Sequence, residues 1–241
     1  NRSYRMGEAA GFSQSVQKTE NGAEFVWKSN TLIIKETFSF IRSADSGLAN
    51  GVVLTATAEN ISEQDLTIGM RFVIDTYIGE NSATHFFTAT NRGITGETEF
   101  TQTTMPKFIM SAGEELSGGF QIMTKGEGIK VPERLILANW KRLNDTSWAY
   151  STNSQRNFNQ LPYSINDSAI ALYYESDRVA KGDTYKITTV MGSYSPEGFS
   201  TTRTEQKSEI SEVFKKALST DSTIQNTEKA VQNDLLMVRD L

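Results

Sequence analysis

The chain contains no cysteine, one histidine and four prolines among its 241 residues. Without cysteine it can form no disulfide, no thiolate metal site and no cysteine nucleophile. A zinc site usually takes several nitrogen or sulfur ligands, and here only His85 could supply one. We therefore predict no bound cofactor.

Long apolar runs and blocks of a single charge are also missing. No stretch approaches the roughly 18 consecutive apolar residues that a membrane-spanning helix needs, so we expect no transmembrane segment. No apolar run follows Asn1–Arg5, so the N-terminus is not expected to be a signal peptide. The net charge is −5, and lysine and arginine are scattered singly among acidic residues. That pattern argues against a nucleic-acid partner, which would require a basic patch.

The motifs of two large enzyme classes are absent from the sequence. There is no Gly-x-Ser-x-Gly nucleophile elbow, and one histidine would have to serve any catalytic triad. The segment Gly126–Gly128 lacks the third glycine of a dinucleotide fingerprint, and no Walker sequence occurs. These absences favour a non-catalytic protein, although the two carboxylates of a glycosidase could lie among the 29 acidic residues.

Alternating apolar and polar residues predict a mostly β domain over residues 1–200. The alternation is clearest in Val52–Asn60 and Leu66–Ile74, which are separated by a polar turn. We expect these two strands to pair antiparallel and to bury one face, as in a sandwich. Further strands are predicted at Thr31–Ile41, Gly119–Lys125, Arg134–Trp140, Ala169–Glu175 and Thr184–Tyr194.

Two short glycine-containing segments are typical of hairpin turns. They are Glu20-Asn21-Gly22 and Ala49-Asn50-Gly51. No helical periodicity competes with the strand pattern before residue 200. The predicted fold is therefore a large antiparallel β-sandwich.

Residues 201–241 change to a helical period and predict a helical tail. A capping box at Thr202–Glu205 precedes a first amphipathic helix. A second helix is predicted to open at Ser222 and to be still running at Leu241, so we expect a further region to follow. The apolar positions of the two helices are Ile210, Val213, Phe214, Leu218, Val231, Leu235 and Val238. We expect this tail to contact a protein partner or an adjacent domain.

Residues 139–167, the polar-aromatic loop, interleave aromatic side chains with Asn, Asp and Arg. Such a surface can bind carbohydrate, because rings cover the apolar faces of pyranoses while polar groups bond the hydroxyls, and it can equally bind a protein. Alternatively, the tryptophans plug the end of the sandwich and the polar residues satisfy loop backbone. The carbohydrate hypothesis expects Trp140 and Trp148 to share an exposed groove. Its candidate residues are Trp140, Arg142, Asp145, Trp148, Arg156 and Tyr163.

A second candidate cluster precedes the only histidine. Asp75 and Glu80 beside His85 could form an acid–base set. Asp75, Glu80 and Asn81 could also bind Ca²⁺, which takes oxygen ligands, although the Asp-x-Asp-x-Asp-Gly loop is absent. Alternatively, Asp75 ends a strand and pairs with an arginine.

Two family resemblances bear on the β region. The alternating segment Gly51–Asn60, continued to Arg71–Val73, resembles the strand pair of galactose-mutarotase-like super-sandwich domains. That resemblance implies sugar binding and, in the enzymes of that family, a histidine acting with a carboxylate base, for which His85 is the available histidine. The segments Arg71–Glu80, Asn139–Asp145 and Leu161–Ala169 resemble an uncharacterised family of spirochaete envelope proteins. This second resemblance implies a periplasmic or cell-surface location and no established chemistry.

Two functions are compatible with these observations. The first is a non-catalytic structural or interaction module of the bacterial cell envelope, in which the tail contacts the partner. The second is a carbohydrate-binding or carbohydrate-processing β-sandwich that uses the polar-aromatic loop.

Overall fold

A computed structural model describes residues 2–42, 47–90, 92–113, 118–146 and 148–195. The strands are β1 (Ser13–Thr19), β2 (Gly22–Lys28), β3 (Leu32–Arg42), β4 (Ala49–Asn60), β5 (Leu66–Asp75), β6 (Phe86–Thr88), β7 (Gly93–Ile94), β8 (Thr98–Thr101), β9 (Phe108–Ser111), β10 (Phe120–Met123), β11 (Arg134–Asn139), β12 (Ser168–Val179) and β13 (Thr184–Ser193). One α-helix, α1 (Trp140–Asp145), and one 3-10 helix, Ile78–Asn81, complete the described elements.

The strands form two antiparallel sheets of unequal width. The large sheet has nine strands in the order β1-β2-β3-β4-β13-β10-β9-β6-β7, and the small sheet has four in the order β5-β12-β11-β8. The predicted mostly β, antiparallel architecture is therefore confirmed.

The predicted pairing of β4 with β5 is wrong, because the two strands belong to different sheets. β4 pairs with β3 and β13, whereas β5 pairs with β12. The chain changes sheet at the fully buried Asn60, whose side-chain amide donates to the carbonyls of Gln64 (2.8 Å) and Val179 (2.9 Å). Alternation identifies the buried face of a strand but does not identify its partner.

One predicted hairpin turn is confirmed and the other is wrong. Thr19 pairs with Gly22 across the first turn, and a Cβ at Gly22 would lie 1.8 Å from the carbonyl oxygen of Phe38, so only glycine fits there. Ala49 and its neighbours instead begin β4, because they pair with β3 beyond a register shift at its end. The remaining predicted strands correspond to β3, β10, β11, β12 and β13 with shifted ends, and β11 ends one residue before Trp140, which begins α1.

Apolar clusters lie between the sheets and on the outer face of each. The central cluster joins the two inner faces and includes Phe86, Leu137 and Ile170. A second cluster lies on the outer face of the small sheet, where Leu143 of α1 and Tyr150 cover it. β12 is consequently buried on both faces from Ser168 to Tyr174. The polar-aromatic loop is thus held against a sheet at its beginning and middle.

The predicted absence of a transmembrane segment and the predicted contact role of the tail concern possible partners. Within the described residues, no helix is both long and apolar enough to traverse a bilayer. The tail positions lie outside the described residues, and their role stays a prediction; they are Ile210, Val213, Phe214, Leu218, Val231, Leu235 and Val238.

Candidate functional site

A buried carboxylate, Glu97, organises the middle of the polar-aromatic loop. Its Oε1 atom accepts hydrogen bonds from the Tyr150 hydroxyl at 2.6 Å and from the Arg142 guanidinium at 2.8 Å. Its Oε2 atom accepts from the backbone N–H of Asn153 at 2.9 Å, and the Arg156 guanidinium lies 3.9 Å away. One acidic side chain therefore binds three separate parts of the loop.

Arg142 extends this network to the end of the loop. It donates to the carbonyl oxygen of Asn157 at 3.1 Å and to that of Asn159. Burial, followed by the hydrogen bond to Glu97, raises the pKa of Tyr150 to about 12, so its hydroxyl stays a donor at neutral pH. Arg142 thus has internal partners for its guanidinium, and its contacts position the loop backbone.

The two predicted tryptophans have different surroundings. Trp140 is half-buried at the start of α1 and packs against the cluster on the outer face of the small sheet. Trp148 is 38% exposed and contacts the ring of Tyr173 edge-on at 6.1 Å. Asp145 is exposed and pairs with Lys141 at 2.8 Å. The structure brings Arg142 and Arg156 together at Glu97. Trp148 lines a cavity beside β5, whereas Trp140 lines neither that cavity nor the pocket described below.

Tyr163, the sixth candidate, lies at a separate place on the surface. Its side chain is 74% exposed. It lies in a turn that is closed by a hydrogen bond of 2.7 Å, which the N–H of Gln160 donates to the carbonyl of Ser164. Leu161 and Ile165 are also exposed in this turn. Three large side chains therefore project into solvent from residues 161–165.

A polar pocket of about 460 Å³ lies at the base of this turn. We call it the amide pocket, because four asparagine side chains line it. Its other polar groups come from one carboxylate, two hydroxyls and the histidine, and no lysine or arginine of the described residues lines it. The lining residues are Glu80, Asn81, Ser82, Ala83, His85, Thr95, Asn157, Phe158, Asn159 and Asn166.

Gly79 fixes one wall of the amide pocket. Its N–H donates to the Ser111 hydroxyl at 3.1 Å, and its carbonyl accepts from the Ser82 hydroxyl at 3.0 Å. A Cβ at this position would lie 2.2 Å from the carbonyl oxygen of His85, closer than any side chain allows. The 3-10 turn therefore packs directly on the backbone before β6 and carries Glu80 into the pocket wall.

The opposite wall is built by hydrogen bonds among asparagines. The Oδ1 of Asn157 accepts from the N–H of Asn159 at 3.1 Å, and the Oδ1 of Asn159 accepts from the N–H of Asn166 at 2.6 Å. Asn166 has a φ of +50°, a left-handed conformation that asparagine tolerates. Buried Asn139 donates to the carbonyl of Phe158 at 2.9 Å and so holds this wall to the end of β11. The bonds of Asn157 and Asn159 use their oxygens and leave their NH₂ groups for a ligand.

His85 lies at the bottom of the amide pocket. It is buried, and its ring lies 4.6 Å from that of Phe158. Burial lowers its pKa, so the imidazole is neutral at pH 7. Its buried Nδ1 has no hydrogen-bond partner among the described residues.

Asp75 and Glu80 meet a third carboxylate, Asp167, beside the amide pocket. Oxygen atoms of the three side chains lie within 4.8 Å of one another. The pKa of Asp75 is raised by burial and by Asp167, and that of Glu80 is raised by burial and by both neighbours. Glu80 also accepts from the N–H of Ser168 at 3.0 Å. Three carboxylates are the oxygen donors that Ca²⁺ prefers, although it takes six to eight ligands. The predicted third ligand, Asn81, lines the amide pocket together with Glu80, and its role in a Ca²⁺ site stays a prediction.

Several residues of this region were not selected from the sequence. Glu97 and Asp167 come from separate segments, and no local pattern distinguishes either from other acidic residues. Asn157, Asn159 and Asn166 do carry a signal, because they are closely spaced asparagines in a segment without strand or helix periodicity. Asparagine in such a segment satisfies loop backbone, and here it does so while lining the pocket.

No protein family and no curated protein matches this sequence. Similar solved structures include the Slr1438 protein of Synechocystis sp. PCC 6803, at 8% identity and TM-score 0.44, covering 75% of this chain and 65% of that one. A galactose mutarotase-related enzyme of Lactobacillus acidophilus is similar at 9% identity and TM-score 0.47, covering 78% and 72%. A putative kojibiose phosphorylase from the human microbiome is similar at 14% identity and TM-score 0.30, covering 86% and 22%. This chain thus spans about two thirds of the first structure. The likeness concerns the β-sandwich fold, and none of the three is a spirochaete envelope protein.

Proposed function

We propose that this chain binds carbohydrate in the amide pocket. The observation that carries the proposal is the pocket's lining: four asparagines, a carboxylate, two hydroxyls and a neutral histidine surround one aromatic ring, that of Phe158. Its volume of about 460 Å³ falls within the range of small-molecule sites. Two of the similar structures are named after sugar enzymes, but the proposal rests on this chain's own residues.

The pocket's chemistry suits a neutral polyhydroxylated ligand. Each amide offers both a donor and an acceptor, and a carboxylate accepts from hydroxyls. The absence of lysine and arginine from the lining argues against a phosphorylated or carboxylated ligand. Tyr77 and Tyr163 are each 74% exposed on the two segments that supply the walls. Their rings offer the apolar surface on which pyranose faces pack.

Recognition is favoured over glycoside hydrolysis. Hydrolysis generally uses two carboxyl groups on opposite sides of the scissile bond. Among the described residues lining the amide pocket, Glu80 is the single acid. Its neighbours Asp75 and Asp167 lie beside it and are not part of the lining.

The experiment is a glycan array followed by NMR titration of the labelled protein with the sugars that bind. Asn81→Ala should weaken binding at least about tenfold, as expected for losing hydrogen bonds to a buried hydroxyl. Asn81 is exposed and makes no side-chain hydrogen bond within the described chain, so the fold should tolerate the change. Gln155→Ala is the control, because Gln155 is an exposed amide of the polar-aromatic loop that does not line the pocket. Failure of every sugar to shift the pocket's amide signals would refute the proposal.

A second candidate function is interconversion of sugar anomers, favoured by the presence of Glu80 and His85 in one pocket. In that reaction neutral His85 would accept the proton of the anomeric hydroxyl, while the protonated form of Glu80, which its raised pKa favours, gives its proton to the ring oxygen. The C1–O5 bond breaks and the aldehyde rotates. The ring closes when the imidazolium returns its proton to the carbonyl oxygen and the Glu80 carboxylate takes back the proton of the O5 hydroxyl. Magnetisation-exchange NMR on glucose or galactose measures the interconversion rate. A rate unchanged from buffer, or equal in wild type and Glu80→Gln, would leave recognition alone.

A further inference from the structure

A second cavity, the lateral cleft, lies between the large sheet and the edge strand β5 of the small sheet. Strands β2, β3 and β4 form one wall and β5 forms the other, and the cleft measures about 770 Å³. Its walls are largely apolar: Trp27, Ile34 and Ala58 face Ile68, Met70 and Phe72. A cleft of this size and lining suits a small organic ligand with a substantial apolar part.

Two arginines line the part of the lateral cleft that lies beside the C-terminal end of α1. Arg71 of β5 donates to the carbonyl of Leu143 at 2.7 Å and to that of Thr146. Arg5 of the N-terminal segment donates to the carbonyl of Asn144. Both guanidinium groups therefore bind carbonyls at one helix end, which brings two positive charges close together.

The charge of Arg71 has no acidic partner in the described chain. Its partners are carbonyl oxygens and the ring of Tyr173, whose centroid lies 5.1 Å from the guanidinium carbon, and its Nε is buried without a hydrogen bond. Arg5 pairs only with exposed Glu8 at 3.7 Å, a contact that contributes little in water. A partly buried cation without a counter-ion is unfavourable, so a bound anion would stabilise this arrangement.

The overall charge of the residues that line the lateral cleft also favours an anionic ligand. Among the residues that the structure describes, Arg2, Arg5 and Arg71 line the cleft, against one acid, Glu36 of β3. Three arginines and one glutamate leave two positive charges. Glu36 forms no hydrogen bond or ion pair with another described residue, and burial raises its pKa, which weakens its negative charge further.

We propose that the lateral cleft binds an amphipathic organic anion, an apolar chain or ring ending in a carboxylate. The apolar part lies between β5 and the inner face of β2 to β4, and the carboxylate lies at Arg5 and Arg71. This site is separate from the amide pocket, since no residue lines both. Its failure would therefore leave the carbohydrate proposal untouched.

Tryptophan fluorescence can test the proposal, because two of the three tryptophans, Trp27 and Trp148, line the cleft. In a Trp140→Phe background, octanoate should shift the emission with a saturable dependence. Octanol should bind more weakly and octylammonium most weakly. The three probes share one chain length and differ in charge, so their order isolates the electrostatic contribution.

Two substitutions of opposite expected sign complete the experiment. Arg5→Gln should weaken octanoate binding about three- to tenfold, and Glu36→Gln should strengthen it by a similar factor. Because one change removes a positive charge and the other a negative charge, general destabilisation cannot produce both results. Equal affinity for the three probes, absence of saturable binding, or unchanged octanoate affinity in both variants would overturn the proposal.

Discussion

Replacing Glu97 by alanine should destabilise the domain by about 3–5 kcal/mol. This magnitude is typical when one member of a buried ion pair is removed and its partner stays buried. The change deprives the Tyr150 hydroxyl, the Arg142 guanidinium and the N–H of Asn153 of their acceptor. Arg142 keeps its bonds to two loop carbonyls, which should hold the loss within this range rather than above it.

Urea unfolding followed by circular dichroism measures the loss directly. For a domain of this size, a loss of about 3–5 kcal/mol corresponds to a fall of roughly 6–20 °C in Tm. Tyr150→Phe removes one hydrogen bond to the carboxylate and should cost about 1.5–3 kcal/mol. The double variant should then be little worse than Glu97→Ala, because both changes remove the same contact. A loss below about 1 kcal/mol for Glu97→Ala would refute the assignment of Glu97 as the centre of the loop.

Glu97→Ala should also affect the amide pocket. Arg142 holds the backbone of Asn157 and Asn159, so loss of its ion pair should loosen one wall of the amide pocket. Hydrogen exchange should accelerate first in residues 153–159, at denaturant concentrations where the sheets remain protected. Sugar affinity should fall together with this protection.

Two further predictions concern the turn that follows β5. Gly79→Ala should lower the free energy of unfolding in urea by about 1–3 kcal/mol, because the added Cβ would overlap the carbonyl of His85. Gly113→Ala is the control and should be neutral, because no described atom lies within 4 Å of its added Cβ. Equal losses of stability in the two variants would contradict this account. Asp75→Asn should stabilise the domain at pH 7, by up to about 1 kcal/mol after solvent screening, and should have little effect near pH 3. Burial and Asp167 raise the folded-state pKa of Asp75 above its unfolded value of about 3.8. Between these two pKa values the folded state holds more protons than the unfolded state, so the free energy of unfolding falls as pH rises through this range. If Asp75→Asn and wild type differed in free energy of unfolding by the same amount at pH 7 and pH 3, this linkage would be refuted.

The sheet architecture could be predicted from alternation, but its topology could not. Val52–Asn60 and Leu66–Ile74 each show which side chains are buried, and both are strands. Their neighbours in the chain suggest a hairpin, yet β5 pairs with β12, about one hundred residues later. Strand pairing depends on contacts between distant segments, and the local signal for leaving a sheet was one buried asparagine, Asn60.

The two arginines of the polar-aromatic loop show why its role was harder to predict. Arg142 and Arg156 have the residue type expected of a ligand-binding surface, and composition cannot distinguish that use from an internal ion pair. The deciding partner, Glu97, lies 45 residues before Arg142 in the chain and outside the loop. Glu97 is buried against both arginines, so their charges hold the loop in place. The neutral asparagines of the loop then remain as the groups that line the pocket. The candidate site therefore joins Glu80, Asn81 and His85, which the sequence did indicate, to uncharged asparagines of the polar-aromatic loop, which a search for reactive side chains would not have selected.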